Sequence, residues 1–374
     1  MAFSLSPETQ TIKEIKPMTE RKLARIAQIT AIKPIPNADA IECATVDNGW
    51  EVVTRKGEYA PGDIAIYCEI DSWVPHELAP FLTKNAAPRE YNGVKGERLR
   101  TVKLRGQISQ GLLLPLNVDI AGGPFNGGYG LCVLGLKCGD DVTEVLGIQK
   151  WEAPIPAVLS GEVEGAFPSF IPKTDQERCQ NLHNEIFTDH YDEVYEVTTK
   201  LDGTSCTIFY NQGTIGVCGR NWQLRETEGN TLWRCARAQG LIDGLETLKY
   251  NIALQGEVIG EGIQGNQEKL KGQHFYLYDV YDIDAKRYLS GYEREAVVAR
   301  LKEACPAIQL RHVPILGTYK VLVDEGIESI DNLLKFAEGP SLNEQVQREG
   351  LVFKSCDTPF TFKAISNKWL LKNQ

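Results

Sequence analysis

The sequence predicts an α+β chain in two parts. A small, closed, all-β barrel comes first. A larger domain follows, built on antiparallel sheets with helices packed against them. Three observations predict this. Residues 21–70 read as short strand patterns separated by turn signals, with little helical periodicity. From Tyr195 onward strand patterns return, and helical patterns interrupt them at 226–249, 291–304 and 328–338 without the strict alternation of a doubly wound parallel sheet. The length, 374 residues with 42% apolar content, exceeds what a single core usually supports.

Taken in order, RKLARIAQITAIK, ECATVDNGWEVVTR and DIAIYCEID supply the first strands, and Asn48-Gly49 is a strong hairpin signal. RLRTVKLR (98–105) and residues 108–116 continue the strand pattern, and AGGPFNGGYG (121–130) reads as a glycine-rich loop. The stretch IPNADAIECATVDNG (35–49) resembles the opening of tRNA-binding OB domains, so residues 20–118 are expected to form an OB-like barrel. Pro154, Pro156, Pro168 and Pro172 mark residues 150–172 as a connection. The expected division is an N-terminal extension (1–19), an OB-like domain (20–150) and a catalytic domain (151–374). In the last, YEVTTKLDGTSCTIFY, GTIGVCGRN, ALQGEVIG, HFYLYDVYDI and EGLVFK are the strand-rich segments.

Composition narrows the function classes. No run of about 18 apolar residues is present, which excludes a membrane-spanning helix. The opening MAFSLSPETQTIKEIKP lacks an apolar h-region, so no secretory signal is expected. Ten scattered cysteines without a CxxC pair argue against a zinc site or a disulfide framework, and a reducing, cytoplasmic compartment is expected. A net charge of −10 argues against non-specific coating of nucleic acid, though not against a local basic groove. The five histidines are isolated, and each is expected to be structural or on the surface.

The chemistry concentrates between residues 200 and 363. Lys200-Leu-Asp202-Gly203-Thr204 sits where a strand pattern meets a turn, and alone is an ordinary sequence. Its company is not ordinary: Arg220 in GVCGRN, Glu257 in QGEVIGEGIQGN, Tyr278 and Asp279 in HFYLYDVYDI, Glu349 opening EGLVFK, and Lys363 in FTFKAISNK. In this order the segments resemble the covalent nucleotidyltransferases, namely DNA ligases, RNA ligases and mRNA capping enzymes, which share a lysine nucleophile in KxDG. QGEVIGEGIQGN resembles the RNA ligase form of the third motif.

The resemblance implies that the Lys200 amine attacks the α-phosphate of ATP. An amine attacks only when neutral, and at its free pKa of about 10.4 roughly one lysine in a thousand is neutral near pH 7. A nearby cation lowers that pKa. Mg²⁺ or Mn²⁺ is therefore implied, with Asp202, Glu257 and Glu349 as its carboxylates, partly through bound water. Lys363 adds positive charge on the same side. Thr204, Arg220, Tyr278 and Lys354 complete the nucleotide site: Arg220 grips phosphate or ribose, and Tyr278 stacks on adenine. Phe275, the competing aromatic, points to the opposite face of the strand. One departure stands out. The family's last motif commonly reads Lys-x-Lys, and here the triplet is Thr361-Phe362-Lys363. Lys354, which alternates with Val352, is expected to supply part of the missing charge.

DNA ligases and capping enzymes carry an OB domain after the last motif, whereas here only AISNKWLLKNQ follows Lys363 and the OB-like unit lies in front. That arrangement resembles the Deinococcus-type RNA ligases, as do FPSFIPKTDQERCQN (167–181) and FKAISNKWLLK (362–372), and the resemblance covers roughly residues 20–374. It implies an ATP-dependent, monomeric RNA ligase that seals 3′-OH/5′-phosphate nicks on duplexes with an RNA 3′-OH strand, reading the ribose 2′-OH. Arg98, Arg100, Lys103 and Arg105 are the expected nucleic-acid contacts. On an ideal strand they face two ways, so uniting them requires a bulge or an edge; a charged edge strand is the plainer reading. Two alternatives remain. A capping-type guanylyltransferase would use GTP and carry the C-terminal OB domain. A catalytically dead RNA-binding protein would lack one of Lys200, Glu257 or Glu349.

Overall fold

The computed structural model describes residues 21–84, 86–117, 135–152 and 161–373. The N-terminal extension, the glycine-rich 121–130 loop, and Pro154 and Pro156 of the connection lie outside the described residues. The chain divides into two compact units: residues up to Gln28 with Asp63–Arg100 and Gly111–Trp151, and Ile29–Gly62 with Thr101–Gln110 and Glu152–Gln374.

In the first unit, Ala24–Gln28 pairs antiparallel with the strand Ile64–Cys68, which pairs with Leu112–Leu114. A second sheet runs in the order Gln149–Lys150, Ser72–Pro75, Val94–Arg98, Arg89–Tyr91. Ile26, Ile66, Val74, Leu114 and Val142 are buried in one apolar cluster between these elements.

The second unit contains two larger sheets. The first follows the order Val163–Ala166, Trp222–Leu224, Thr214–Cys218, Thr204–Asn211, Ile252–Gly260, Gln273–Asp282, Arg287–Tyr288. The second follows Glu177–Arg178, Thr361–Ile365, Gly350–Ser355, Tyr195–Lys200, Ile315–Tyr319. Both are antiparallel except where Glu177–Arg178 pairs parallel with Phe362–Lys363 and Arg311–His312 pairs parallel with Tyr276–Leu277. Ile41–Val46 and Glu51–Arg55 form the expected Asn48-Gly49 hairpin, with Gly49 at φ +82°.

The helices fall close to their expected ranges, and their ends are readable. Thr231–Ala238 is capped by Asn230, whose side chain accepts from the amides of Leu232 and Trp233. Gly240, in the left-handed region, breaks the 226–249 pattern into two helices, the second being Leu241–Leu248. Ser290 and Glu293 form a capping box for Gly291–Ala304. Ser329 caps Ile330–Phe336, and at the other end Arg348 donates to the carbonyls of Phe336, Ala337 and Glu338.

Alternation fixes which side of the second sheet faces the core. Leu351 and Phe353 on one strand and Phe362 and Ala364 on its neighbour are buried with Tyr195 and Val197 against the helix Ile330–Phe336. Phe353 and Phe362 stack with centroids 4.6 Å apart. Their strand neighbours Val352, Lys354, Thr361 and Lys363 therefore turn to the other face. The strand-rich segment YEVTTKLDGTSCTIFY is two strands in different sheets, Tyr195–Lys200 and Thr204–Asn211, with the expected break after Lys200. One expectation needs correction. RLRTVKLR is not one strand: Val94–Arg98 ends in the first unit, and Val102–Leu104 begins a hairpin with Gln107–Ser109 in the second. Phe353→Ala is expected to cost about 3–5 kcal/mol through cavity formation. A urea titration followed by far-UV circular dichroism checks this as a lowered unfolding midpoint.

Candidate active site

Lys200-Leu-Asp-Gly203 is the passage from one sheet of the second unit to the other. Lys200 is the last residue of its strand, in register with Gly350, and Thr204 is the first of the next, in register with Val258. Gly203 lies so close to that neighbouring strand that a Cβ would meet Val258 O at 2.4 Å and Ile259 Cγ2 at 2.5 Å. Only glycine permits this approach. The passage brings Lys200 to a cavity of ≈ 380 Å³ lined from both sheets.

Of the sequence-predicted residues, Lys200, Asp202, Thr204, Arg220, Glu257, Tyr278, Glu349 and Lys363 all line this cavity. Lys200 Nζ donates to Glu349 Oε2 at 2.7 Å. Burial opposes the charge of Lys200, but the carboxylates of Glu349, Glu257 and Asp202 outweigh it and raise the amine above its ordinary pKa. The carboxylates respond in turn. Burial pushes Glu257 up to about 7, with Lys200 opposing and Glu349 and Asp202 adding repulsion. Burial and Glu349 push Asp202 up to about 6. At the other side, burial and the charges of Lys200 and Arg178 push Lys363 down to about 8.

No group of three or more His, Cys, Asp or Glu among the described residues is arranged to hold a metal directly. The carboxylates still fit an ion that keeps much of its water: three of them share one cavity, and two resist ionisation because burial, and after it their like-charged neighbours, oppose the charge.

Tyr278 reaches the cavity through a β-bulge. Gln255 is paired with Asp279 and Gly256 with Leu277, so Tyr278 is the extra residue between them. The bulge shifts the alternation. Phe275, Leu277 and Val280 lie in the core on one face, while Tyr278 packs with Tyr276 and Leu201 on the other. Phe275 is 0% exposed, so it is a core residue and not the base-facing ring. The Tyr278 hydroxyl donates to Thr174 Oγ1 at 3.0 Å. Lys354 does not line the cavity: its ammonium donates to Asp279 Oδ1 at 2.7 Å and to the Tyr278 carbonyl at 2.6 Å.

The decisive comparison concerns the whole chain. It is 48% identical to the RNA ligase of Naegleria gruberi solved with PPi, over 94% of this chain and 98% of that one, with a TM-score of 0.76. The chain belongs to the RNA ligase family. An RNA ligase family model matches residues 193–369, and an OB-fold domain model matches residues 23–116. Variants of the Naegleria gruberi enzyme solved with ATP and Mn and with AMP and Mn are also 48% identical. They cover 94% and 95% of this chain and 99% and 100% of those, with TM-scores of 0.76 and 0.77. Among curated proteins none matches.

The cavity has a further wall, Phe167 and Lys173–Gln176, to which the sequence reading gave no site role. It belongs to 167–181, a segment noted there only for its resemblance to the RNA ligases, and Phe167 alone falls within the 150–172 connection. Gln255 donates to the Pro172 carbonyl at 2.9 Å, Lys173 to Asn221 Oδ1 at 3.1 Å, and Asp175 pairs with Arg220 at 2.9 Å. Arg220 is otherwise open, its side chain 66% exposed. Arg178 is in register with Lys363 across the parallel pair, and its buried Nη1 has no hydrogen-bond partner among the described residues. The KTDQER run of alternating charge beside Pro172 was the available signal.

The four expected nucleic-acid contacts are divided between the two units. Arg98, in the first unit, pairs with Asp71 and stacks on Trp151 with its guanidinium carbon 3.7 Å from the ring centroid, so it serves that unit's own structure. Arg100, in the same unit, is exposed. In the second unit, Lys103 donates to the Leu371 carbonyl in the last turn of the helix Asn367–Asn373, and Arg105 occupies a hairpin turn at φ 52°. Among the described residues no helix is long and apolar enough to cross a membrane.

Two predictions follow from this geometry. Gly203→Ala is expected to reduce adenylation by about tenfold or more, because overpacking at this contact costs about 1–3 kcal/mol; single-turnover labelling checks it. The pH profile of kcat/KM for ATP is expected to rise across about 6 to about 7 as Asp202 and Glu257 ionise, and to fall above about 8 as Lys363 loses its charge. Lys363→Arg keeps the charge and should move the alkaline limb upward. An unmoved limb assigns it to another group.

Proposed function

We propose that this RNA ligase adenylates itself on Lys200 with ATP and seals 3′-OH/5′-phosphate nicks, acting on duplexes whose 3′-OH strand is RNA. The observation that carries the reading is the Lys200 amine, hydrogen-bonded at 2.7 Å to Glu349 inside a cavity that also holds Tyr278, Arg220 and Lys363. In the first step the Lys200 Nζ–Pα bond forms and the bond from Pα to the bridging oxygen breaks, releasing pyrophosphate. The amine must shed its proton, and the 2.7 Å contact supports Glu349 as the acceptor. In the second step AMP passes from Lys200 to the 5′-phosphate. In the third the 3′-OH attacks that phosphate and AMP leaves.

Tyr278 offers a ring for the adenine base, and Arg220 a fork for phosphate or ribose, its Asp175 partner being exchangeable at an exposed pair. Thr204 supplies a hydroxyl at the cavity wall, and Lys363 and Arg178 supply positive charge beside it. Asp202, Glu257 and Glu349 would hold a divalent ion, Mg²⁺ or Mn²⁺, partly through water. When bound, that ion favours the neutral amine and absorbs charge on the α-phosphate. The Naegleria gruberi structures with ATP, AMP and Mn support this ligand set. The nine cysteines among the described residues are free, which supports a reducing, cytoplasmic setting. The ligase is proposed to act as a monomer.

Incubation with α-labelled ATP and a divalent metal should label the chain through an acid-stable bond, and Lys200→Ala should remove the label. Label surviving that substitution would assign the nucleophile elsewhere, and label from GTP in place of ATP would favour a guanylyltransferase. Nick sealing should be about tenfold or more faster with a ribonucleotide than a deoxyribonucleotide at the 3′ end, the scale of one lost hydrogen bond. Equal rates would remove the 2′-OH from the reading.

A further inference from the structure

We infer that the Lys354–Asp279 ion pair positions the Tyr278 ring. Both residues would then determine ATP affinity without touching the nucleotide. The inference rests on the reading of Tyr278 as the base-stacking ring and adds to it the device that holds that ring in place.

The argument begins at the bulge. An extra residue in a β-ladder leaves backbone groups without their usual partners, and a buried carbonyl without a partner is costly. The Tyr278 carbonyl instead accepts a hydrogen bond from Lys354 Nζ at 2.6 Å. The same ammonium donates to Asp279 Oδ1 at 2.7 Å, one residue further along the strand. It also lies 5.6 Å from the centroid of the Tyr278 ring. Lys354 and Asp279 are 13% and 9% exposed, so solvent screens the pair weakly.

The two residues stand on different sheets. Lys354 belongs to Gly350–Ser355 and Asp279 to Gln273–Asp282, so their contact ties the strand that begins just after Glu349 to the strand that presents Tyr278. Lys354 is also in direct register with Glu196 on one side and Thr361 on the other. Glu196 is committed to Arg294 at 2.5 Å. Thr361 is the place where the family's last motif commonly has its first lysine. Lys354 thus brings an ammonium to the row that Thr361 leaves neutral, but spends it on the Tyr278 backbone and Asp279. Neither Lys354 nor Asp279 lines the cavity, whereas Tyr278 does. With Thr174 holding its hydroxyl at 3.0 Å, the ring is fixed at both ends.

A double-mutant cycle on self-adenylation by the full chain tests this. Tyr278→Leu is expected to raise KM for ATP about tenfold, the scale of one base–aromatic stack. Lys354→Met is expected to raise it to a similar extent with a much smaller change in kcat, and Lys354→Arg to recover most of the loss. In the Tyr278→Leu background, Lys354→Met should change KM by less than about twofold, because its effect passes through the ring it no longer positions. If the two substitutions instead multiply, Lys354 acts on ATP by itself and the inference is overturned. If Tyr278→Leu leaves KM unchanged, the stacking reading fails and takes the inference with it. Should Lys354→Met not fold, as judged by circular dichroism, the near-isosteric Asp279→Asn enters the same cycle. A wild-type KM for Asp279→Asn also overturns the inference.

Discussion

The site depends on one short passage of backbone, Lys200–Gly203, carrying the chain from one sheet to the other with no room for a side chain at Gly203. Everything catalytic is arranged around that constraint. Because Lys200 ends its strand in register with Gly350, the residue before Gly350 is Glu349, and the 2.7 Å contact follows from strand pairing. Because Gly203 sits against Val258, the preceding residue of that strand, Glu257, faces the same cavity. Taking charges out of water costs several kcal/mol per ion, so an ammonium among carboxylates is poor evidence of stability design. The fold's stability rests on aromatic and aliphatic packing such as Phe353 on Phe362, on the opposite face of the same strands. Strand alternation lets one strand do both, with core residues at 351 and 353 and a cavity residue at 352, while Glu349 lies just before the strand begins.

The sheet that holds Gln273–Asp282 contributes through an irregularity. A regular Gln273–Asp282 strand would place Phe275, Leu277 and Asp279 on one face, aiming a carboxylate at the core. The extra residue at Tyr278 restores an apolar face of Phe275, Leu277 and Val280 and turns a tyrosine toward the cavity. The bulge therefore solves a packing problem and builds a binding surface together. It also creates a demand for a hydrogen-bond donor, which Lys354 meets from the other sheet. Packing, backbone satisfaction and site geometry are coupled at this one residue.

Much of this was legible in the sequence because the chemistry is carried by residue types that few other roles require in that order. The lysine, aspartate and two glutamates were found from the resemblance of their motifs, in that order, to the covalent nucleotidyltransferases, and the structure gathers all four in one cavity. The Asn48-Gly49 turn was legible because tight turns act over three or four residues. The wall at 167–176 was not, because proline-rich irregular chain has no period and its position depends on a distant glutamine, Gln255, binding the Pro172 carbonyl. The basic run 98–105 misled as to secondary structure, for the opposite reason. Its pattern reads as one strand, yet residues 99–101 interrupt it, and Arg98 goes to Asp71 and Trp151 while Lys103 goes to a helix carbonyl. Composition gave charge without giving its assignment.

The assignment of charge also bears on how an acidic chain of net charge −10 engages a polyanion. Long-range attraction is screened within about 8 Å at physiological ionic strength, so net charge governs encounter more than the bound state. Near the site the balance is local and mixed. Arg220, Lys173 and Lys363 line the same cavity as Asp202, Glu257 and Glu349, and Arg178 is in register with Lys363. A site of this kind is poorly suited to holding bare phosphate backbone by bulk electrostatics. It favours ligands whose phosphates reach the cationic side while a base or sugar is read separately by shape and hydrogen bonds. Such a site suits an ATP-dependent RNA ligase, which must tell a nucleotide from a nucleic-acid end. An enzyme that bound polyanions strongly everywhere would lack that discrimination.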